Sequence, residues 1–266
     1  MSAAQSAVRV SQRRVFLSEW TKLRSVRSTR YVLAAAVLIG IGLAALYSTV
    51  IVTHWVHMRA GEKAGFNPLD AGMVGVNVAQ LAIGVLGVLV ISSEYSTGMI
   101  RSSFSAVPKR LPVLWAKAGV FSAVTFLLMV PTVLIAFFVS QSILSGQHLQ
   151  IAFSHPGVAR AVIGAALYLT VLGVFALGLA AITRNTAAGI ASFAGILFVL
   201  PGLIHLLPSS WFDAINPYLP SNAGGQVMAL VKDPNMLSPW VGFALFCGYT
   251  VVLLGIAAVL LVRRDT

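Results

Sequence analysis

Six long apolar stretches run through this chain, and no aspartate or glutamate lies inside any of them. They cover residues 31–53, 73–92, 113–139, 158–182, 187–207 and 241–262. Each is close to or above the roughly 20 residues that a helix needs to cross a hydrocarbon core. Only Lys117 and Arg160 bring formal charge into them. The pattern fixes the solvent: this chain is built for a bilayer. In the last stretch the strongly apolar side chains, among them Phe243, Leu245, Phe246, Val251, Leu254 and Leu261, favour insertion by about 4 to 8 kcal/mol. A soluble fold would have to bury every such helix on all sides, which a domain of this size cannot do. The chain is 58% hydrophobic and 9% charged, whereas a soluble domain carries about a quarter charged residues. The fold class expected is therefore all-α: a polytopic membrane protein with six transmembrane helices.

The net charge of +11 is a topology signal rather than a nucleic-acid signal, because the basic residues sit at the ends of the apolar runs. Arg9, Arg13, Arg14, Lys22, Arg24, Arg27 and Arg30 precede the first run. Arg101, Lys109, Arg110 and Lys117 follow the second, Arg184 the fourth, and Arg263 and Arg264 the sixth. The opposite side holds only Arg59, Lys63, Arg160 and Lys232. The bias puts both termini in the cytoplasm, and the membrane expected is the plasma membrane. Residues 1–30 lack the apolar core of a signal peptide, so the first run reads as a retained span. Cys247 is the only cysteine, which excludes an intrachain disulfide and a thiolate metal cluster.

Residues 1–30 are expected to form a cytoplasmic amphipathic segment, and residues 31–266 the six-helix transmembrane domain. Phe16, Trp20 and Leu23 fall at i, i+4, i+7, one helix face that suits a helix lying in the headgroup layer against membrane lipid. The gap 93–112 reads SEYSTGMIRSSFSAVPKRLP. Ser92 or Ser93 is placed to cap a short helix with Glu94 in its first turn. Ile100, Phe104 and Val107 make an apolar ridge, and Pro108 and Pro112 end it. The opposite side carries two long segments, 53–72 and about 208–238. The second contains Trp211, Phe212 and Tyr218, which fit an interfacial aromatic belt, and residues 211–231 are expected to hold short helices that dip into the bilayer. Residues 183–186 make a tight hairpin. Pro131 and Pro201 are expected to kink their spans. The pairs Gly84/Gly87, Gly173/Gly178 and Gly189/Gly195 are expected at close helix contacts.

Catalytic chemistry is hard to find. The spans lack the buried acids that ion-coupled carriers use, and Lys117 is expected to snorkel to the surface. No lysine is preceded by glycine, so the phosphate-binding loop GxxxxGK[ST] is absent. The histidines, His54, His57, His148, His155 and His205, show no converging ligand pattern, so no metal site is assigned. Glu19, Glu94 and Asp265 are far apart in sequence and form no acidic cluster, so no catalytic residue is assigned and enzyme function is disfavoured.

The basic N-terminus ending in SEWTKLRSVRSTRY, the six spans, SEYSTGMIRSSFSAVPKR and the later NPYLPSNAG together resemble the membrane subunit of ABC-2 type transporters. The resemblance covers nearly the whole chain. It implies that 93–112 carries a cytoplasmic coupling helix docking on an ATP-binding subunit, with Glu94, Tyr95, Gly98, Ile100, Arg101, Phe104 and Pro108 as the interface. It implies a re-entrant outer segment, and two permeases, as homodimer or heterodimer, working with two ATPases. ATP and magnesium would then sit on the partner, with no cofactor and no nucleic acid on this chain. The function implied is export of a hydrophobic or amphipathic compound. A carrier or channel working without an ATPase is the alternative that the residues leave open.

Overall fold

In a computed structural model, residues 12–98, 111–231 and 233–263 are described. They are helical throughout their regular structure, with no strand among them. Helix α1 covers Gln12–Ser25, α2 Arg27–His54, α3 Ala60–Ala64, α4 Pro68–Ser96, α5 Leu111–Leu144 and α6 Val158–Thr183. Helix α7, Thr186–Ala194, continues through a π turn, Gly195–Val199, into α8, Leu200–Ile204. The short helices α9, Ser209–Ile215, and α10, Pro220–Gly225, lead to α11, Pro239–Arg263. Among the described residues, six helical stretches are long and apolar enough to cross a membrane: Arg27–His57, Pro68–Ser96, Leu111–Gln147, Val158–Thr183, Thr186–Ile204 and Pro239–Arg263. The architecture is that of a multi-pass membrane protein.

Helix α6 is the axis of the bundle, with 83% of its most apolar window buried against 22% for the fifth span. Its sequence explains this: Ala161, Gly164, Ala165, Ala166, Gly173, Ala176, Gly178 and Ala180 are all buried, and small side chains let neighbouring backbones come close. Helix α2 carries a second small-residue stripe, Ala36, Gly40, Ala44 and Ser48, buried at four-residue spacing. There a Cβ on Gly75 of α4 would overlap the Gly40 backbone, so the two helices touch main chain to main chain. On the same stripe Ser48 Oγ lies 2.6 Å from Ser140 Oγ and ties α2 to α5.

The glycines expected at close contacts are mostly there. A side chain on Gly84 would overlap the Phe193 ring, one on Gly87 would overlap the Gly173 carbonyl, and one on Gly189 would come within 2.9 Å of Val88. Gly195 departs from expectation: nothing lies within 4 Å of the position its Cβ would take. It opens the π turn that precedes Pro201, and a proline, lacking an N–H, is compatible with a locally rearranged hydrogen-bond ladder. Pro131 stands within α5, which runs on past it.

Local signals set the helix ends. Asn67 Oδ1 accepts from Leu69 N at 3.1 Å and Pro68 occupies the first helical position, so α4 starts there. It ends at Thr97 and Gly98, where φ is +71°. The tight 183–186 hairpin holds: Arg184 adopts φ 53° after α6, and Asn185 Oδ1 accepts from Ala188 N at 3.0 Å to start α7.

Candidate functional site

One end of the bundle gathers the start of α2, the end of α4, the start of α5, the α6–α7 hairpin and the end of α11. We call it the charged end. Helix α1 packs there mainly on α5. Its buried face is Val15 and Glu19, spaced i, i+4. Phe16 and Trp20 are exposed, while Leu23 packs against the main core. The face expected from Phe16, Trp20 and Leu23 is thus only partly the one that meets the protein, because a charged residue, Glu19, takes the central buried position.

Glu19 is buried because it has two partners. Lys117 Nζ of α5 donates to Glu19 Oε2 at 2.6 Å, and Lys22 Nζ donates to Glu19 Oε1 at 2.7 Å. Both ammonium groups also donate to Glu94 Oε1 of α4, Lys117 at 2.9 Å and Lys22 at 3.0 Å. Two carboxylates and two ammonium groups close a ring of ion pairs across three helices. Glu19, Glu94 and Lys117 are 3%, 6% and 3% exposed. Burial alone would raise the Glu19 carboxyl, but Lys117 and then Lys22 outweigh it and hold Glu19 below the usual carboxylate range. Burial likewise opposes the Lys22 charge, yet Glu19 and Glu94 hold Lys22 above the usual lysine value.

Three expectations are corrected by this geometry. Glu94 is not in the first turn of a new helix. It lies in the last turn of α4, at the negative end of the helix dipole, and the two lysines compensate. Lys117 does not snorkel to the surface; it is one of the most enclosed charges in the bundle. Glu19 and Glu94 are not separate, since Lys117 and Lys22 each bridge them. The sequence carried a signal for this: Val15, Glu19 and Lys22 share one face of α1, an acid and a base on an otherwise apolar stripe.

The last two turns of α4 touch more than α1 and α5. The Arg184 guanidinium lies 5.4 Å from the centre of the Tyr95 ring, a cation–π contact, and its Nη2 donates to Leu260 O of α11 at 3.2 Å. Thr186 Oγ1 donates to Ser92 Oγ at 2.9 Å. Of the expected interface residues, Glu94 and Tyr95 therefore sit at a junction of most of the bundle, and Gly98 lies just beyond it with no neighbour at its Cβ position. Ile100, Arg101, Phe104 and Pro108 lie outside the described residues.

A cavity of about 310 Å³ opens beside the ring, between α1, the start of α2 and the end of α4. Leu23, Val26, Leu86, Leu89 and Val90 form its apolar wall, and Glu19, Lys22, Glu94 and Lys117 form its charged end. At the opposite end of the bundle, the loop end, Trp211 and Tyr218 are exposed and Phe212 is half-buried. Short helices fill residues 209–228 as expected. Arg160 Nη1 and Nη2 donate to Val227 O and Ala229 O at 3.0 and 2.9 Å. Among the described residues no group of His, Cys, Asp or Glu is arranged to hold a metal.

The sequence matches no protein-family model and no curated protein.

Proposed function

We propose that this chain is the membrane subunit of an ATP-driven transporter of the ABC-2 type, exporting a hydrophobic or amphipathic compound. The observation that carries the reading is the ring of Glu19, Lys22, Glu94 and Lys117. It ties α1 to the two helix ends that flank residues 99–110. A push delivered to those residues would therefore move α1, α4 and α5 together, and Tyr95 with Arg184 would carry it to α6 and α11. Packed helices are stiff, so such a push tilts rods rather than compressing them. In this reading α1 lies along the inner membrane surface with Phe16 and Trp20 toward lipid, and both termini are cytoplasmic. Residues 208–238 form the re-entrant outer segment, with Trp211, Phe212 and Tyr218 at the outer interface. Two such chains work with two ATP-binding subunits, which hold the ATP and magnesium.

Purification of the chain from its native membrane tests the partnership: a stoichiometric ATP-binding subunit is expected to accompany it. In the reconstituted complex, Glu94→Ala with Arg101→Ala is expected to abolish the coupling of ATP hydrolysis to transport. Concentration of a solute against its gradient by the purified chain alone, in vesicles without any ATPase, would overturn the reading and favour the carrier.

A further inference from the structure

We propose that the cavity beside the ion-pair ring is a binding site for a single-chain amphiphile with an uncharged, hydroxyl-bearing head. The inference starts from one atom. Glu94 is 6% exposed and lines the cavity, and while its Oε1 accepts from both lysines, its Oε2 is sealed from water and has no hydrogen-bond partner. A buried carboxylate oxygen left unpaired is costly. The terminal torsion of a glutamate is soft, so a small rotation, which carries both oxygens together, brings Oε2 to the cavity wall and shifts Oε1 only slightly between its two lysines.

The polar groups around it choose the ligand. Ser93 Oγ donates to Leu89 O at 2.6 Å, Thr97 Oγ1 to Ser93 O at 2.7 Å and Ser25 Oγ to Lys22 O at 3.0 Å. These three hydroxyls line the cavity with their protons already committed, so each offers a lone pair only. With Glu94 Oε2 they offer acceptors, while the hydroxyls of Ser28 and Thr29, which also line the cavity, can donate or accept, so the lining matches a head that does both, as a hydroxyl does. Charge then decides between donors. The two carboxylates and two ammonium groups of the ring already balance, so an alkylammonium head would bring a surplus buried positive charge beside Lys22 and Lys117. An anionic head would face the lone pairs of Glu94. A neutral polyol head suffers neither penalty. The wall of Leu23, Leu86, Leu89 and Val90 takes the hydrocarbon. About 310 Å³ is the lower end of the range of small-molecule sites, which suits one chain and a small head rather than a two-tailed lipid.

The site is independent of any ATPase, so its test uses the full chain alone, held in an amine-oxide detergent that has no hydroxyl. Native mass spectrometry then counts bound 1-lauroylglycerol. One saturable equivalent is expected. Methyl laurate, with the same chain and no donor, and dodecylamine, cationic at neutral pH, are each expected to bind about tenfold more weakly or worse, the worth of a hydrogen bond to a charged group. Dilauroylglycerol separates a two-tailed membrane lipid from a single-chain compound and is expected to bind as poorly. Leu89→Trp fills the apolar wall without touching the ion pairs and is expected to remove binding while the helical circular dichroism is unchanged. Glu94→Gln, which exchanges the accepting oxygen for a donor, is expected to weaken it about tenfold. Equal binding of methyl laurate, dodecylamine or dilauroylglycerol, or full binding by Leu89→Trp, overturns the proposal.

Discussion

The two ends of the bundle are held by different chemistry. At the charged end, α1, α4 and α5 are tied by ion pairs between side chains, Glu19, Lys22, Glu94 and Lys117, beside the apolar contact of Val15 with Val113 and Ala116. The side-chain bond to another helix's main chain there, Arg184 to Leu260 O, joins other helices. At the loop end, side chains reach for main chain. Arg160 holds the carbonyls of Val227 and Ala229. Gln141 Nε2 donates to Pro68 O at 3.0 Å, and Gln141 Oε1 accepts from Ile151 N at 2.9 Å. Tyr249 Oη donates to Tyr218 O at 2.9 Å. Backbone carbonyls do not titrate, and they move only when the chain moves, so the loop end is fixed in place. Ion pairs between side chains can be broken as a unit, so the charged end is the releasable one.

Mutations at the two ends separate these behaviours. Lys117→Ala should have the largest effect, a loss of about 3 to 5 kcal/mol, because Glu19 and Glu94 would both lose a buried partner. Thermal unfolding of the chain in nanodiscs measures it. Arg160→Ala should cost about 2 kcal/mol by the same measurement, and it should loosen residues 226–231 while leaving α1 docked. Glu19→Leu combined with Lys117→Leu should cost less than Lys117→Ala alone, since apolar replacement of a buried pair is close to neutral. A double variant that is worse than the single would mean that the ring acts through shape rather than charge. Lys22→Ala should cost only about 1 kcal/mol, because its side chain is 29% exposed and water screens the pair.

The smallest effect is the pH response near neutrality. Glu19 is held below its usual value of 4.5, so its contribution is complete above 4.5 and is lost as pH falls through the lower folded value. Lys22 is held above its usual value of 10.5, so its contribution is complete below 10.5 and is lost as pH rises through the higher folded value. A spin label at Ser18→Cys, in a Cys247→Ser background, should report a docked α1 that does not change between pH 4.5 and 10.5. Its mobility should rise beyond each limit. A transition near pH 7 would contradict the ring.

The contrast also explains what could be read from the residues alone. Span number and placement were legible because they depend on long runs, such as residues 241–262, whose length and apolarity need no tertiary context. The hairpin at Arg184 and Asn185 was legible for the same reason: its signals are local. The ring was not, because Lys117 and Glu19 are 98 positions apart and Lys22 and Glu94 are 72 apart, and nothing local says that two helix ends will meet. Glu94 was misplaced because a serine before an acid has the look of a helix start, yet the apolar packing of α4 carried the helix on to Ser96. Tertiary burial overrode the cap. The stripe of Ala36, Gly40, Ala44 and Ser48 was there to be seen, at a spacing of four, and it marks the face of α2 more sharply than hydrophobicity does in a helix that is apolar all round.

That stripe limits what the bundle can do. Where Gly40 and Gly75 meet, no atoms lie between the two main chains to act as a bearing. Helices α2 and α4 therefore cannot slide past each other without first being prised apart. Whatever rearrangement this membrane body undergoes, those two rods travel as one plank, and the slack must be found elsewhere, first at the fifth span, the most loosely covered of the six.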